Sequence, residues 1–493
     1  MLEPLVRANL HRWQTAYDCL PGPAQTLVTS ARGLILSRLR YASRTFETLR
    51  DLRQHESWSP QQIAAYQLAA LQQTIDRACA TVPFYFAYPQ TQLRSFDDLR
   101  RLPVLHRETV RQNQERFISV NFPHRRLIRA GTTGTTGSNL RVAYTEEISQ
   151  QNWAFHLRQW SWAGIVPRDP RVTLYGARVV SAERSRPPYW VHNVSERQWL
   201  LSIFHLSART GPDYLQFLQQ HAGQVLEGFP SVIGILADLA LLHAKPIPMR
   251  VLFTSGESLY PETRRKIERA FQAPLFDTYG MTELCGLIQE CEHGAMHLAP
   301  EYGFLEVLDD DDEPVRPDDE GHFVWTSFIN SAMPLIRYRI GDRGRWLNNT
   351  VCACGRNFPV VVPTITRESD ILRCPDGRLF SPRALNQLLK QTNALRFCQF
   401  VHEQPAKVTV RAVPGDGPAM EEMMCIRSSL QHLLGPSMEV AATLAAEPFA
   451  GPGGKIPLII NRIQYQMSDA HSRGQHGRAP RENPVDALDG AAR

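Results

Sequence analysis

Several features are missing from this sequence, and each absence removes a class of function. No uninterrupted apolar run approaches the roughly 20 residues that a bilayer span needs. No long basic run is flanked by aromatics, and the net charge is only +5 over 493 residues, so nucleic-acid binding has no support. The opening Met1-Leu-Glu-Pro-Leu-Val-Arg7 has no signal-peptide core. Without export the chain is expected in the cytoplasm, with its nine cysteines as reduced thiols or metal ligands rather than disulfides. No internal repeat is visible. What is present is a globular composition, 43% hydrophobic and 21% charged, on a chain too long for one ordinary core. Two or three domains are expected.

One stretch stands out. Gly131-Thr-Thr-Gly-Thr-Thr-Gly137 packs three glycines and four threonines into seven residues. Glycine tolerates positive φ and lets a ligand approach the backbone. Successive backbone N–H groups in such a loop can form an anion-binding nest, and threonine hydroxyls add donors suited to phosphate oxygens. The alternating Leu140-Arg-Val-Ala-Tyr144 that follows reads as a strand. A P-loop would instead end in Gly-Lys-Ser/Thr and open a helix. A hairpin-like loop that holds a polyphosphate and a plain surface loop both fit these residues, so the rest of the chain must decide.

Residues 1 to about 120 read as mostly helical. Ser59-Pro-Gln-Gln-Ile63 starts a helix, with Ser59 as N-cap and Pro60 in the first turn. A further helix is expected over Glu146–Trp162, its tryptophans serving the core. Strands are expected at Val172–Gly176, Gln224–Pro230, Arg250–Glu257 and Pro274–Gly280, with a helix over Pro261–Ala270 between the last two. Such alternation argues for an α/β domain with a largely parallel sheet, whose ligands lie beyond the C-terminal strand ends. Gly256-Glu257 and Tyr279-Gly280 lie at such ends. From Tyr302 to about Thr366 the texture turns to β. Strands are expected at Gly303–Leu308, Gly321–Thr326 and Pro334–Tyr338, around a solvated acidic turn, Asp309–Glu313. A smaller unit follows, with a helix near Ser381-Pro382, a strand Lys407–Val413 and a helix Met420–Leu434. From about Ser468 the chain turns polar and reads as a disordered tail.

Independently, Cys291-Glu-His-Gly-Ala-Met-His297 and Cys352-Ala-Cys354 supply three thiols and an imidazole. Three sulfurs and one nitrogen suit tetrahedral Zn²⁺, and a set wholly from protein reads as structural. His293 is an alternative to His297. Reduced, buried cysteines would look the same. Cys19, Cys79, Cys374, Cys398 and Cys425 read as structural.

The Gly/Thr loop is followed by Asp277-Thr-Tyr-Gly-Met-Thr-Glu283, Tyr338-Arg-Ile-Gly-Asp-Arg343, Arg367-Glu-Ser-Asp370 and Gly454-Lys455. In this order and spacing the set resembles the adenylate-forming superfamily of acyl-CoA synthetases, most closely its phenylacetate–CoA ligase and coenzyme F390 synthetase-like branch. His205-Leu-Ser207 and Gly228-Phe-Pro-Ser231 add to the resemblance, which covers roughly residues 60 to 466. It implies an α/β fold: an N-terminal adenylate-forming domain (1–368) with α/β subdomains and a small β-rich one, then a mobile α+β lid domain (369–467), then the tail (468–493). It also implies two reactions. A carboxylic acid attacks the α-phosphate of ATP to give acyl-AMP and pyrophosphate, and a thiol, coenzyme A, then takes the acyl group.

By the same resemblance, Thr132, Thr133, Gly134, Thr135, Thr136 and Gly137 would hold the phosphates, with Gly256, Glu257, Asp277 and Gly280 beside the nucleotide. Tyr279 would stack near adenine, Thr282 would reach phosphate, and Asp342 would accept from the ribose hydroxyls. Glu283 would bind Mg²⁺, as a hard oxygen ligand should. Arg367 would act near the ribose and phosphate. Lys455 would bridge carboxylate and α-phosphate during adenylation. Some members of the branch carry a zinc site of the Cys/His pattern seen here. The acyl pocket is expected among Phe229, Gly256, Glu257, Tyr279 and Cys285 and would suit an aryl or other apolar acid. The sequence departs from the pattern at Ser138, Asn139, Thr366 and Ser369, which puts the thiolation step in doubt more than adenylation. Transfer to an amine or a carrier-protein thiol, or an inactive nucleotide-binding homologue, are the competing readings. A homodimer is an open assembly for such a chain.

Overall fold

The computed structural model describes residues 16–462, apart from 90, 134–138, 178, 182, 208, 244, 349–350, 365–371, 377, 381–384, 386, 390–393, 416, 448 and 450–457. The expected helix start at Ser381-Pro382 and the expected tail lie outside these residues.

Local chemistry fixes the N-terminal helices. Helix Pro60–Thr81 opens on a reciprocal capping box, in which Ser59 Oγ accepts from Gln62 N and Gln62 Oε1 accepts from Ser59 N. Ile63, Gln67, Leu71, Thr74, Ile75 and Ala78 line its buried face at helical spacing. Helices Gly22–Arg40 and Ser43–His55 precede it. Helix Glu146–Trp162 starts at Thr145, whose hydroxyl accepts from Ile148 N.

The largest sheet has eight strands. In spatial order they are Met296–Leu298, Leu287–Glu290, Leu275–Gly280, Val251–Ser255, Val225–Gly228, Arg171–Leu174, Gln198–Leu201 and Trp190–Asn193. The central pairings are parallel, and the pairings at either edge are antiparallel. Helices Pro230–Leu242 and Pro261–Phe271 connect consecutive parallel strands and cover one face, while helix Glu146–Trp162 covers the other, so those strands are buried on both faces. The expected largely parallel α/β sheet is therefore present.

A second sheet joins Leu105–His106, Tyr338–Trp346, Gly321–Ser327 and Gly303–Leu308, with Val361–Pro363 on the second of these. One expectation fails here. Pro334–Arg337 is not strand, and the strand runs from Tyr338 to Trp346 instead. Arg337 has φ +51°, a left-handed turn that no strand contains, and its guanidinium is drawn to Glu306 at 2.9 and 3.0 Å. The acidic turn is exposed at Asp310, Asp311 and Glu313, as expected, although His322 holds Asp310 and Arg339 holds the half-buried Asp312.

Residues Leu372–Ile459 contribute a hydrophobic core of their own. It is built on a four-stranded sheet, Glu439–Leu444, Lys407–Pro414, Leu395–Gln404 and Ile459–Asn461, backed by helix Ala419–Leu434. No described helix is long and apolar enough to cross a membrane.

Candidate nucleotide site and candidate metal centre

The Gly/Thr stretch is a hairpin. Strands Ile128–Thr133 and Asn139–Tyr144 pair antiparallel, with Thr133 opposite Asn139. Thr132 and Thr133 end the first strand, while Gly134, Thr135, Thr136 and Gly137 lie outside the described residues. Arg367 and Lys455 also lie outside them.

The remaining candidates converge at strand ends of the large sheet. Gly256 follows strand Val251–Ser255 with φ +84°, a conformation that costs glycine nothing. Glu257 Oε2 accepts from Ser231 N at 3.2 Å, at the start of helix Pro230–Leu242, where a negative charge is favoured. Tyr279 and Gly280 end strand Leu275–Gly280. The Tyr279 hydroxyl donates to Asp342 Oδ2 at 2.8 Å, which joins the large sheet to strand Tyr338–Trp346 of the second. Burial pushes the Tyr279 phenol up, and neighbouring Asp342 pushes it further, so it stays a donor.

Thr282 and Glu283 lie in the turn after that strand. Glu283 is only 3% exposed. Its Oε1 accepts from Arg107 Nη1 at 3.0 Å and from the Tyr338 hydroxyl at 3.2 Å. Burial opposes the Arg107 charge, but Tyr338 and Glu283 outweigh it and hold Arg107 above the usual guanidinium range. Asp277 is treated differently. Burial lifts its carboxyl to about 7, with Glu290 adding to the lift and Thr254 opposing it through a 2.6 Å hydrogen bond. Glu290 Oε2 in turn accepts from Asp277 N at 2.7 Å. Gln159, from helix Glu146–Trp162, supports the same strand by donating to Asp277 O at 2.9 Å and accepting from Thr278 Oγ1 at 2.7 Å.

Cys285, expected to line an acyl pocket, is wholly buried in the core among residues such as Trp325 and Tyr338. It is a packing residue, because the left-handed turn at Leu284 swings it inward. Arg107, Tyr338 and Glu290 received no role from the sequence. Tyr338 opens a quoted motif, but nothing near Arg107 marks it, since its partners are remote in the chain.

A second cluster forms at the antiparallel edge of the same sheet. Cys291 directly follows strand Leu287–Glu290, and His297 lies in strand Met296–Leu298. Cys352 and Cys354 arrive on the loop before strand Val361–Pro363, held by an isolated antiparallel bridge between His297 and Val360. Their four ligand atoms all lie within 4.8 Å of one another. Cys291 Sγ is 3.6 Å from Cys352 Sγ, and Cys354 Sγ is 3.3 Å from His297 Nε2. Gly294 at φ +76° and Gly355 at φ +78° close the two turns that present the thiols. His297 Nδ1 bonds the Phe358 carbonyl at 2.8 Å. A carbonyl only accepts, so Nδ1 carries the proton and Nε2 presents its lone pair to the thiols. His297 rather than His293 joins the cluster; His293 instead donates its backbone N–H to Cys291 Sγ. No disulfide joins any of the nine cysteines. Cys19 and Cys425 are exposed, so neither packs a core as the sequence suggested.

The loop that carries these cysteines also grips the N-terminal helices. Arg356 bonds Glu56 at 2.9 Å and Glu292 at 2.8 Å, and lies 4.4 Å over the Trp162 ring. Asn357 Nδ2 donates to Trp58 O at 2.8 Å.

Residues 197–327 match the model of the AMP-binding enzyme family. The fold is that of 2-hydroxyisobutyryl-CoA ligase, solved with 2-HIB-AMP and CoA. The TM-score is 0.54 at 20% identity, over 83% of this chain and 92% of that one. Residues 197–327 thereby carry the match to the AMP-binding enzymes of the adenylate-forming superfamily. The chain is similar to Protein CapK of Staphylococcus aureus, 22% identical over 461 residues, covering 91% of this chain and 99% of that protein. It is also similar to phenylacetate-coenzyme A ligases: that of Aromatoleum evansii is 24% identical, covering 81% of this chain and 94% of the other. That of Escherichia coli K12 is 24% identical, covering 60% and 70%.

Proposed function

We propose that this protein uses ATP to activate a carboxylic acid as acyl-AMP and then passes the acyl group to coenzyme A. The observation that carries the proposal is the hydrogen bond from Tyr279, at a strand end of the large sheet, to Asp342, with Glu283 in the turn that follows, in a chain whose residues 197–327 match AMP-binding enzymes. In the first step an oxygen of the substrate carboxylate attacks the α-phosphorus. The bond to the β-phosphate breaks and pyrophosphate leaves. In the second, the coenzyme A thiolate attacks the acyl carbonyl, and AMP leaves with the bonding pair.

Each residue has work suited to its chemistry. Asp342, oriented by Tyr279, accepts from the ribose hydroxyls. Thr132–Gly137 and Thr282 donate to phosphate oxygens, where the transition-state charge grows. Glu283 would hold the Mg²⁺ that accompanies ATP, and that ion would supply neutralisation of phosphate charge. Lys455 bridges carboxylate and α-phosphate, and Arg367 steadies the nucleotide. Both belong to the region around and within a lid domain (369–467) that closes for adenylation and turns for thiolation. Gly256, Glu257 and Gly280 shape the nucleotide side of the acid pocket, and a buried Asp277 stiffens the strand below. The acid is aryl or otherwise apolar, in keeping with the phenylacetate-coenzyme A ligase relatives. Cys291, His297, Cys352 and Cys354 form a closed three-sulfur, one-nitrogen set that would hold Zn²⁺ as a structural ion.

The test is pyrophosphate release with ATP and Mg²⁺ across a panel of aryl and fatty acids, with and without coenzyme A. Acid-dependent release that rises with coenzyme A is expected. Acid-dependent release indifferent to coenzyme A would redirect the second step to an amine or a carrier-protein thiol, and no release with any acid would oppose the proposal.

A further inference from the structure

Three elements remote in the chain meet on one carboxylate oxygen. Arg107 opens the short helix Arg107–Gln112 directly after strand Leu105–His106. That strand pairs in parallel with the start of Tyr338–Trp346, Leu105 opposite Tyr338 and His106 opposite Arg339. The pairing sets the Arg107 guanidinium and the Tyr338 hydroxyl side by side, 3.5 Å apart. Both then donate to Glu283, and both donate to the same atom, Oε1. A carboxylate only 3% exposed would be costly to keep charged without a cation beside it, and Arg107 is that cation.

We infer that Arg107 is a positioning residue for the metal–nucleotide complex. Together with Tyr338 it holds Glu283 through Oε1 and leaves Oε2 as the oxygen offered to Mg²⁺. This rests on the adenylation reading above, in which Glu283 is the magnesium ligand. Two donors on one oxygen fix the plane of the carboxylate, so the second oxygen keeps one direction. The guanidinium also limits the affinity of Glu283 for a second cation, since like charges repel at this range. Such a one-oxygen, charge-tempered ligand would suit an ion held also by the nucleotide phosphates. A strand pairing, rather than the nucleotide-facing motifs themselves, is what delivers Arg107 to the site.

The test is calorimetric ATP binding to the full chain, in Mg²⁺ and again with EDTA in its place. The wild-type protein binds ATP more tightly with Mg²⁺, and Glu283→Gln loses that gain. Arg107→Gln is expected to lose about 10–100-fold of the same gain, while ATP binding in EDTA changes by less than about threefold. Arg107→Lys, which restores a cation, should recover part of it. A purely structural role would weaken binding equally in both buffers and lower the melting temperature. An undiminished Mg²⁺ gain in Arg107→Gln overturns the positioning role. Should that variant fail to fold, Tyr338→Phe removes the other donor, and an undiminished gain there overturns it too. No Mg²⁺ gain in the wild-type protein would overturn the adenylation reading and the inference with it, a result separable from any behaviour of Arg107→Gln alone.

Discussion

The two candidate centres lie along the same β-ladder and are built on opposite plans. At the nucleotide end, Glu283 and Asp342 are each held by donors from another element, Arg107 and Tyr338 for one and Tyr279 for the other. At the sulfur end, Cys291, His297, Cys352 and Cys354 point at one another, with their ligand atoms within 4.8 Å. On the proposed function, the first arrangement would orient ligands toward something that comes and goes. The second leaves no position open, which is what a resident ion requires. On the proposed function, side chains that serve turnover would be propped from behind, and side chains that serve stability would face inward.

That division can be broken by mutation. The largest effect on rate is expected for Lys455→Ala, which should slow acyl-AMP formation by at least about 10²–10³-fold while ATP binding and melting temperature hold. Pyrophosphate exchange is the measurement, and wild-type exchange in that variant would remove Lys455 from the chemistry. At the sulfur end, Cys352→Ser/Cys354→Ser should lose the metal, near one zinc per chain in the parent, and melt several degrees lower. Its turnover per folded molecule should change little. Metal analysis with thermal melts decides, and a metal-free parent of unchanged stability would end the zinc assignment. Asp342→Asn should weaken ATP binding by about tenfold or more, the loss of a charged acceptor. Equal ATP affinity in calorimetry would take Asp342 away from the ribose.

The smallest effect sharpens the contrast within the nucleotide end. Asp277 has its carboxyl lifted from 3.8 to about 7, so the folded chain keeps a proton that the unfolded chain has lost. Stability from this group is full below pH 4, falls as pH rises to 7, and is level above that. Asp277→Asn, which still accepts from Thr254, abolishes that slope. Its stability relative to the parent should grow between pH 4 and 7, by at most about 4 kcal/mol. Parallel pH profiles for the two proteins would show that Asp277 is ionised in the fold.

Much of this was legible in residue order, because the signals were local. Ser59-Pro60 with Gln62 specifies its own helix start, and Pro261 does the same for the helix before strand Leu275–Gly280. The two glycine-closed cysteine turns were legible for the same reason. The strand Tyr338–Trp346 was misjudged because its residues alternate poorly between buried and exposed, with Gly341 at φ +100° and Gly344 packed against Phe323. A β-carbon on Gly344 would meet the Phe323 ring at 2.2 Å, a constraint that only the tertiary contact reveals. Arg107 was invisible because an ion pair 176 residues long in sequence leaves no periodicity to read. Choosing between His293 and His297 likewise needed the isolated bridge that places His297 opposite Val360.

Arg356 carries a practical consequence. Its guanidinium is shared between Glu56 before the capped helix and Glu292 beside Cys291, with Trp162 beneath. A chain trimmed to begin at Pro60 would discard Glu56 and also Trp58, whose carbonyl anchors Asn357. The cysteine loop would then lose its outer wall, although no cysteine had been touched. The segment between helices Ser43–His55 and Pro60–Thr81 is a brace for the sulfur cluster, and shortened versions made for expression should be judged first by whether the cysteine loop keeps its fold.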